Sequence, residues 1–390
     1  MLNKITWLVE TLFLYIFSYI IPKNNNLLLF GSMKTKYIWW NPKIYYLYLN
    51  EKYWDKYTIL FCDPKSTNTD ERIKTYGKWF KKYWLILRAN ALIIDACSFD
   101  LWIKGVIGGK FNLIQMWHWE PIKKIGFLSK LYISRRNPIV LFFEKLEYKT
   151  YKLILSNPWS IEFIKWCFRN NSVTWIWVPR NDLLLHKNIL NLIKNDIVEK
   201  QISTWKKDFK KVILLAPTFR ETDSSDYFTQ EEANKLNKVL KSEDYLLIIK
   251  THPNETRWFL HEEYSNLQNI TKVMNYDATD FTPFVDIVMT DYSSIYIDFL
   301  LTWKPVIFYQ KDLDEYINRE RGLLYNPEDV TTKETTAYNF KELVMIFQNL
   351  ETTTLTNEYS KWYSDLYNLF FKWLDTNIST CERLDNLILK

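Results

Sequence analysis

The chain is poor in the residues that mark several familiar protein classes. Its four cysteines (Cys62, Cys97, Cys167, Cys381) are widely spaced, with no Cys-x-x-Cys pair and no histidine pairing nearby. That argues against a zinc site or a disulfide framework and reads most simply as buried thiols in a reducing compartment. Histidine is as scarce, at positions 118, 186, 252 and 261, so imidazole chemistry has few places to reside. No carboxylate cluster resembles a dedicated metal cage, so no metal is expected as an obligatory cofactor. No internal repeat or low-complexity segment is evident. Only 7 glycines stand against 24 Phe, 26 Tyr and 18 Trp; abundant Lys, Asn and Ile fit an AT-rich coding bias. A net charge of +6 in 390 residues favours approach to anionic lipids or nucleotides without implying nucleic acid.

Long apolar runs are also scarce. The one candidate, Ile5 to Ile21, contains Glu10 and is marginal against the roughly 20 residues of a transmembrane helix. Lys4, Thr11 and Ser18 form a narrow polar stripe on an otherwise apolar helix. The pattern reads as an in-plane anchor on the cytoplasmic face of the cell membrane; the alternative is an amphipathic helix packed on the protein's own body. No small-residue cleavage site follows the run, which argues against a removed signal peptide.

What is present is an alternation of short apolar runs with helical or polar stretches. Leu27–Phe30, Tyr57–Phe61, Ala91–Ile94, Asn112–Met116, Leu153–Leu155 and Thr174–Val178 predict a parallel α/β domain. A polar helical stretch, Leu183 to Lys210, leads into a second α/β domain from about Val212 to Tyr309. The expected fold is α/β, with two facing doubly wound, Rossmann-like domains and a cleft between them. The divisions are 1–24 for the membrane-associating helix, 25–182 and 183–335 for the two domains, and 336–390 for a helical tail packing back on them.

In the second domain three strands end in chemistry-bearing residues. Lys211–Leu215 runs into Pro217, Thr218 and Arg220; Tyr245–Ile249 into Lys250, His252 and Pro253; Asp286–Thr290 into Asp291, Ser293 and Ser294. Open parallel sheets gather ligands at this carboxyl edge. A guanidinium, an imidazole and a helix N-terminus carrying hydroxyls suit a diphosphate. Taken singly, each has a plainer reading: a solvated arginine, a loop histidine, a capping serine.

Read together, Ala216-Pro-Thr-Phe-Arg220, Lys250-Thr-His-Pro253 and Thr290-Asp-Tyr-Ser-Ser294 resemble the C-terminal half of the CDP-glycerol glycerophosphotransferase family of teichoic-acid and capsule polymer transferases. Asp312-Leu-Asp-Glu-Tyr316 and Arg319-Glu-Arg-Gly322 resemble the segment that follows. Phe30-Gly-Ser32 with Asn41-Pro42 resembles the family's opening strand and loop. Gln115-Met-Trp-His118 with Pro121-Ile-Lys123 resembles its Trp-His-Gly-Thr-Pro-Leu-Lys motif, and Val178-Pro-Arg-Asn-Asp-Leu183 the element between the domains. The match runs from about residue 27 to 327 with the motifs in family order. One departure matters: the family's Gly-Thr is Trp119-Glu120 here. Trp119 lacks glycine's conformational freedom, and Glu120 adds negative charge near a phosphate site. These changes fit an altered acceptor pocket, a Glu120 that works with His118, or reduced activity.

The resemblance implies a GT-B fold and a reaction. A CDP-polyol donor, CDP-glycerol or CDP-ribitol, is held at its diphosphate. The acceptor is a lipid-linked saccharide or a polyol-phosphate polymer, whose hydroxyl attacks the β-phosphorus while CMP leaves. It also implies the base role for His118; His252 is placed beside it in the catalytic set as a group that neutralises charge on the diphosphate. The expected donor-binding set is Arg220, Thr218, Lys250, Pro253, Asp291, Ser293, Ser294 and Asp298, although Asp298 equally suits a helix-stabilising carboxylate. The acceptor side and secondary set is Trp119, Glu120, Lys123, Arg180 and Asp314. Arg180 either contacts phosphate or bridges domains. Asp312 and Asp314 suit ribose or polyol hydroxyls, with surface pairing of Asp314 and Arg319 as the alternative. With only a helical tail after residue 327, a compact transferase adding one or a few units to a lipid-linked or capsule acceptor is expected. Two other functions share these features: a GT-B sugar transferase, and a non-catalytic, membrane-attached nucleotide-binding protein.

Overall fold

The computed structural model describes residues 2–32, 40–63, 73–76, 80–101, 103, 108–117, 120, 122–218, 220, 227–251, 267–273, 276–319 and 322–389. His118, Trp119, His252 and Pro253 lie outside them. The chain forms two compact units. The first comprises Met1–Trp119, Gly126–Ile193 and Leu374–Lys390; the second comprises Glu120–Ile125 and Lys194–Trp373.

The first unit is built on a seven-stranded parallel sheet. Its strands are β1 (Asn24–Phe30), β2 (Thr58–Cys62), β3 (Thr75–Tyr76), β4 (Ala89–Ile94), β5 (Leu113–Gln115), β6 (Tyr151–Ser156) and β7 (Val173–Trp175), in the order β3-β2-β1-β4-β5-β6-β7. The second unit carries β8 (Lys211–Leu215), β9 (Tyr245–Ile249), β10 (Ile270–Lys272), β11 (Ile287–Thr290), β12 (Val306–Tyr309) and β13 (Thr336–Ala337), ordered β10-β9-β8-β11-β12-β13. In both sheets the strand order reverses beside the first strand, between β1 and β4 and between β8 and β11. That is the doubly wound pattern, whose ligand site lies outside the strand ends at the reversal.

The apolar runs form these strands because helices bury both faces. Leu27–Phe30, Val212–Leu215 and Tyr245–Ile249 are buried along their whole length, as fully covered parallel strands require. The strands β3, β10 and β13 have only two or three residues each, too few to show as apolar runs in sequence.

The tail is divided between the units. Leu343, Phe347 and Leu350 of the helix Phe340–Thr353 join the core of the second unit. The helix Thr380–Ile388 belongs to the first. Its opening amides, Thr380 N–H and Cys381 N–H, donate to the Asp182 carboxylate at 2.8 Å each. Asp385 accepts from the hydroxyls of Tyr45, Tyr48 and Tyr53 at 3.2, 3.0 and 2.8 Å.

The N-terminal helix, Leu2–Ile20, turns Glu10 and Ser18 toward its own unit. Tyr83 donates to Glu10 Oε1 at 2.6 Å, and Lys110 N–H donates to Ser18 Oγ at 2.8 Å. Leu14 is buried between them in the helix, whereas Leu8, Val9, Leu12, Ile16, Tyr19 and Ile20 are exposed. Among the described residues, no helix is long and apolar enough to cross a membrane.

Candidate active site at the carboxyl edge of the second sheet

The second unit places Thr218, Arg220 and Asp291 at the reversal between β8 and β11. Asp291 follows β11 and is fully buried. Its Oδ1 accepts the N–H groups of Thr218 (2.8 Å) and Tyr292 (2.5 Å), and its Oδ2 accepts from Arg220 Nη2 (2.8 Å). One carboxylate thus ties the loop after β8 to the turn after β11. Thr290 adds a hydroxyl bond to Ala216 O at 2.8 Å.

Arg220 is committed on most sides. Besides Asp291 it donates through Nε and Nη2 to Asp312 at 2.8 and 3.1 Å, and through Nη1 to Thr218 O at 2.8 Å. Its guanidinium also lies over the rings of Tyr292 and Tyr316, at 5.0 and 4.6 Å, and these rings stack on each other at 4.1 Å. Burial works against the charge, but the carboxylates of Asp291 and Asp312 more than restore it. Burial alone would likewise raise the Asp312 carboxyl; the hydrogen bond and charge of Arg220, with the Tyr292 hydroxyl, hold it below its ordinary value instead. The geometry therefore gives Arg220 the part of an internal strut, which qualifies the expectation of a guanidinium open to the donor. The reason is local: two carboxylates lie within reach of a buried cation, and such a cation is stable only when paired.

Lys123 is found here as well, which its place in the N-terminal motif did not suggest. Residues 120–125 belong to the second unit because this segment pairs with the stretch after Arg321. Leu324 N–H donates to Ile122 O at 2.9 Å and Lys124 N–H to Gly322 O at 3.2 Å. Lys123 Nζ stands 3.5 Å from Thr218 Oγ1 and 5.9 Å from the centre of the Tyr316 ring. Glu120 is buried in the same unit.

The turn after Asp291 leads into a short helix, Ile295–Phe299, continued by a 3-10 turn, Leu300–Thr302. Ser294 stands at its N-cap without a side-chain capping bond, and Ser293 Oγ is 3.5 Å from Ile295 N, long for a hydrogen bond. Asp298 is buried within the helix. Lys250, at the end of β9, is buried and donates to Thr251 O at 2.7 Å. Burial lowers its ammonium below the ordinary lysine value, against the pull of Asp277 and Asp280. Asp314 is exposed on the helix Leu313–Arg319.

The reversal in the first sheet carries its own polar cluster. Ser32, after β1, donates to Asp95 Oδ2, after β4, at 2.6 Å. Asp100 accepts the N–H groups of Asp95, Ala96 and Cys97 at 3.1, 2.8 and 3.2 Å. Burial pushes its carboxyl up to about 6, with those amides pulling the other way. The chain leaving β5 toward His118 is strained: Trp117 has φ 51°, a left-handed conformation costing about 1–2 kcal/mol in an L-residue. Its N–H donates to Gln115 Oε1 at 2.9 Å and its carbonyl accepts from Asn41 Nδ2 at 2.8 Å. Arg180 is buried in this unit, in the turn Pro179–Asn181, and its N–H donates to Asn41 Oδ1 at 3.3 Å.

Of the expected set, Arg220, Thr218 and Asp291 form one bonded cluster, joined by Lys123. Ser293 and Ser294 follow directly on the Asp291 turn. Arg180 lies in the other unit. The partners Tyr292, Tyr316 and Asn41 carried no assigned role in sequence, and Asp312 was assigned to hydroxyls of the substrate. All four fall inside the motif segments, which was the available signal. Among the described residues, no group of three or more His, Cys, Asp or Glu is arranged to hold a metal ion.

Comparison with known proteins agrees with the motif resemblance. The chain is 30% identical over 342 residues to a teichoic acid poly(glycerol phosphate) polymerase of Bacillus spizizenii, covering 79% of this chain and 80% of that protein. It is 29% identical over 316 residues to a teichoic acid glycerol-phosphate transferase of Staphylococcus aureus, covering 77% of each. The solved structure of the wall teichoic acid polymerase TagF shares the fold, with a TM-score of 0.76 at 22% identity over 94% of this chain and 89% of that one. The family model for CDP-glycerol:poly(glycerophosphate) glycerophosphotransferase matches residues 13–390. The chain therefore belongs to the CDP-glycerol:poly(glycerophosphate) glycerophosphotransferase family.

Proposed function

We propose that the protein transfers a polyol phosphate, glycerol phosphate foremost, from a CDP-polyol to a hydroxyl of a lipid-linked saccharide or polyol-phosphate polymer. CMP is released, and the product belongs to teichoic-acid or capsule-type polymer synthesis. The observation that carries this reading is the cluster of Thr218, Arg220, Asp291 and Lys123, drawn from three family motifs and bonded together where a doubly wound sheet takes its ligand. The names of the relatives favour glycerol over ribitol.

In this reading Arg220 and Asp291 hold the two loops in register. The donor diphosphate is met by Lys123, Thr218, Lys250, Ser293, Ser294 and His252. Cations and dipoles fixed before the reaction stabilise charge on the non-bridging and leaving oxygens. The acceptor oxygen bonds to the β-phosphorus as the bond from that phosphorus to the bridging oxygen breaks. The electron pair leaves with CMP, and the acceptor's proton passes to His118, whose neutral imidazole suits a base near pH 7. The transfer needs no obligatory metal, so chelator is expected to leave the rate unchanged.

The N-terminal helix lies in the plane of the membrane's cytoplasmic face. What supports this is its reversed polarity: Glu10 and Ser18 face the protein, while Leu8, Leu12, Ile16 and Ile20 face outward. Incubation with CDP-glycerol and a glycerol-phosphate-primed acceptor tests the reaction. The acceptor should gain one glycerol phosphate with CMP as the nucleotide product. A nucleoside diphosphate released from a nucleotide sugar would mark sugar transfer instead.

A further inference from the structure

Asn41 opens the second helix of the first unit, Trp40–Tyr53, and its side chain is completely buried. A buried amide needs partners for both its donor hydrogens and its acceptor oxygen. Here Nδ2 donates to two successive carbonyls, Met116 O at 3.2 Å and Trp117 O at 2.8 Å. Oδ1 accepts the N–H of Arg180 at 3.3 Å. One side chain thus joins three segments distant in sequence: the Asn41-Pro42 helix start, the strand end before His118, and the turn Pro179–Asn181.

The second of those carbonyls belongs to the peptide bond that joins Trp117 to His118. Trp117 is held in a left-handed conformation that a tryptophan adopts only when its surroundings impose it. The restraints are specific. Its N–H is fixed by Gln115 Oε1, and Gln115 is anchored through Nε2 to Ala96 O at 2.8 Å. Its ring meets Phe168 edge-on at 5.2 Å, and Asn41 fixes its carbonyl. Strain maintained at the residue next to a reacting group is a sign of preorganisation.

We infer that Asn41 is a positioning residue for the proton-transfer step, holding the peptide that leads into His118 by hydrogen bonds to Met116 O and Trp117 O. The inference rests on the proposed role of His118 as base. Asn41→Asp keeps the size of the side chain but sets carboxylate oxygens against two carbonyl oxygens. Asn41→Ser keeps one donor and makes a milder change.

The test has two readouts on the full-length protein. The first is histidine NMR: there are only four imidazoles, and the His118 signal is the one missing from His118→Ala. In both Asn41 variants the His118 signal should move, with its titration midpoint displaced, while the other three stay in place. The second is steady-state CMP release. Asn41→Asp should lower kcat by about a hundredfold with CDP-glycerol affinity retained, and Asn41→Ser should fall between it and wild type. An unmoved His118 signal would overturn the inference, as would equal movement of all four signals or parallel loss of kcat and donor affinity. Full CMP release by His118→Ala would sink the base assignment instead, and the NMR readout would still decide whether Asn41 positions that residue.

Discussion

Single side chains in the second unit are held by charge as much as by packing. Arg220 and Asp291 are an almost fully buried ion pair, and removing one partner of such a pair costs about 3–5 kcal/mol because the other charge is left uncompensated. Arg220→Ala is therefore expected to destabilise the second unit by that amount in urea unfolding and to abolish CDP-glycerol binding. Arg220→Lys should recover part of the stability, since a lysine keeps the charge and loses the forked geometry. Unchanged stability in Arg220→Ala would show that the pair is not structural. Asp312 gives a prediction in pH. Its folded pKa lies below the unfolded value, so its contribution is present above about pH 4 and is lost as the pH falls through the folded value. Calorimetric midpoints should drop in acid for wild type, and the acid-side slope should be shallower in Asp312→Asn. Sequence reading found the arginine and both strand ends. It missed that Arg220 faces inward, because nothing in a motif states which carboxylates will surround a cation.

Whole elements carry two further expectations. Gly31 sits at the end of β1, where an added Cβ would fall 2.6 Å from the carbonyl carbon and oxygen of Asp100. Gly31→Ala must push apart β1 and the turn bearing Asp100, at a cost of about 1–3 kcal/mol measurable as a lowered melting temperature. The N-terminal helix is tested by flotation with vesicles containing anionic lipid. Leu12→Gln with Ile16→Gln should lose vesicle binding and keep the melting temperature. Leu14→Ala, on the buried side, should lower the melting temperature and leave binding intact; the reverse pattern would contradict an outward apolar face. The main strands were legible in sequence because both faces of each sheet are covered, which turns them into apolar runs such as Leu27–Phe30 and Tyr245–Ile249. Thr75–Tyr76 and Thr336–Ala337 were not, since two residues hold no period.

At the scale of the molecule, the chain passes between its two units after Trp119, Ile125, Ile193 and Trp373. Short excursions such as residues 120–125 left no trace in composition or spacing. They are set by backbone pairing with Gly322 and Leu324, which a linear reading does not contain. As a result Glu120–Ile125 belongs to the same unit as Thr218, Arg220 and Asp291, and Lys123 reaches Thr218. The motifs that resemble the glycerophosphotransferase family stand in order along the chain and were legible without the fold. Trp119-Glu120 in place of Gly-Thr is the feature that most directly questions turnover. The measurement that tests the account is acceptor-dependent release of CMP from CDP-glycerol, by wild type and by His118→Ala. Release by wild type that disappears in the variant is the predicted result. Donor binding without any CMP release, across glycerol-phosphate and lipid-linked saccharide acceptors, would contradict it.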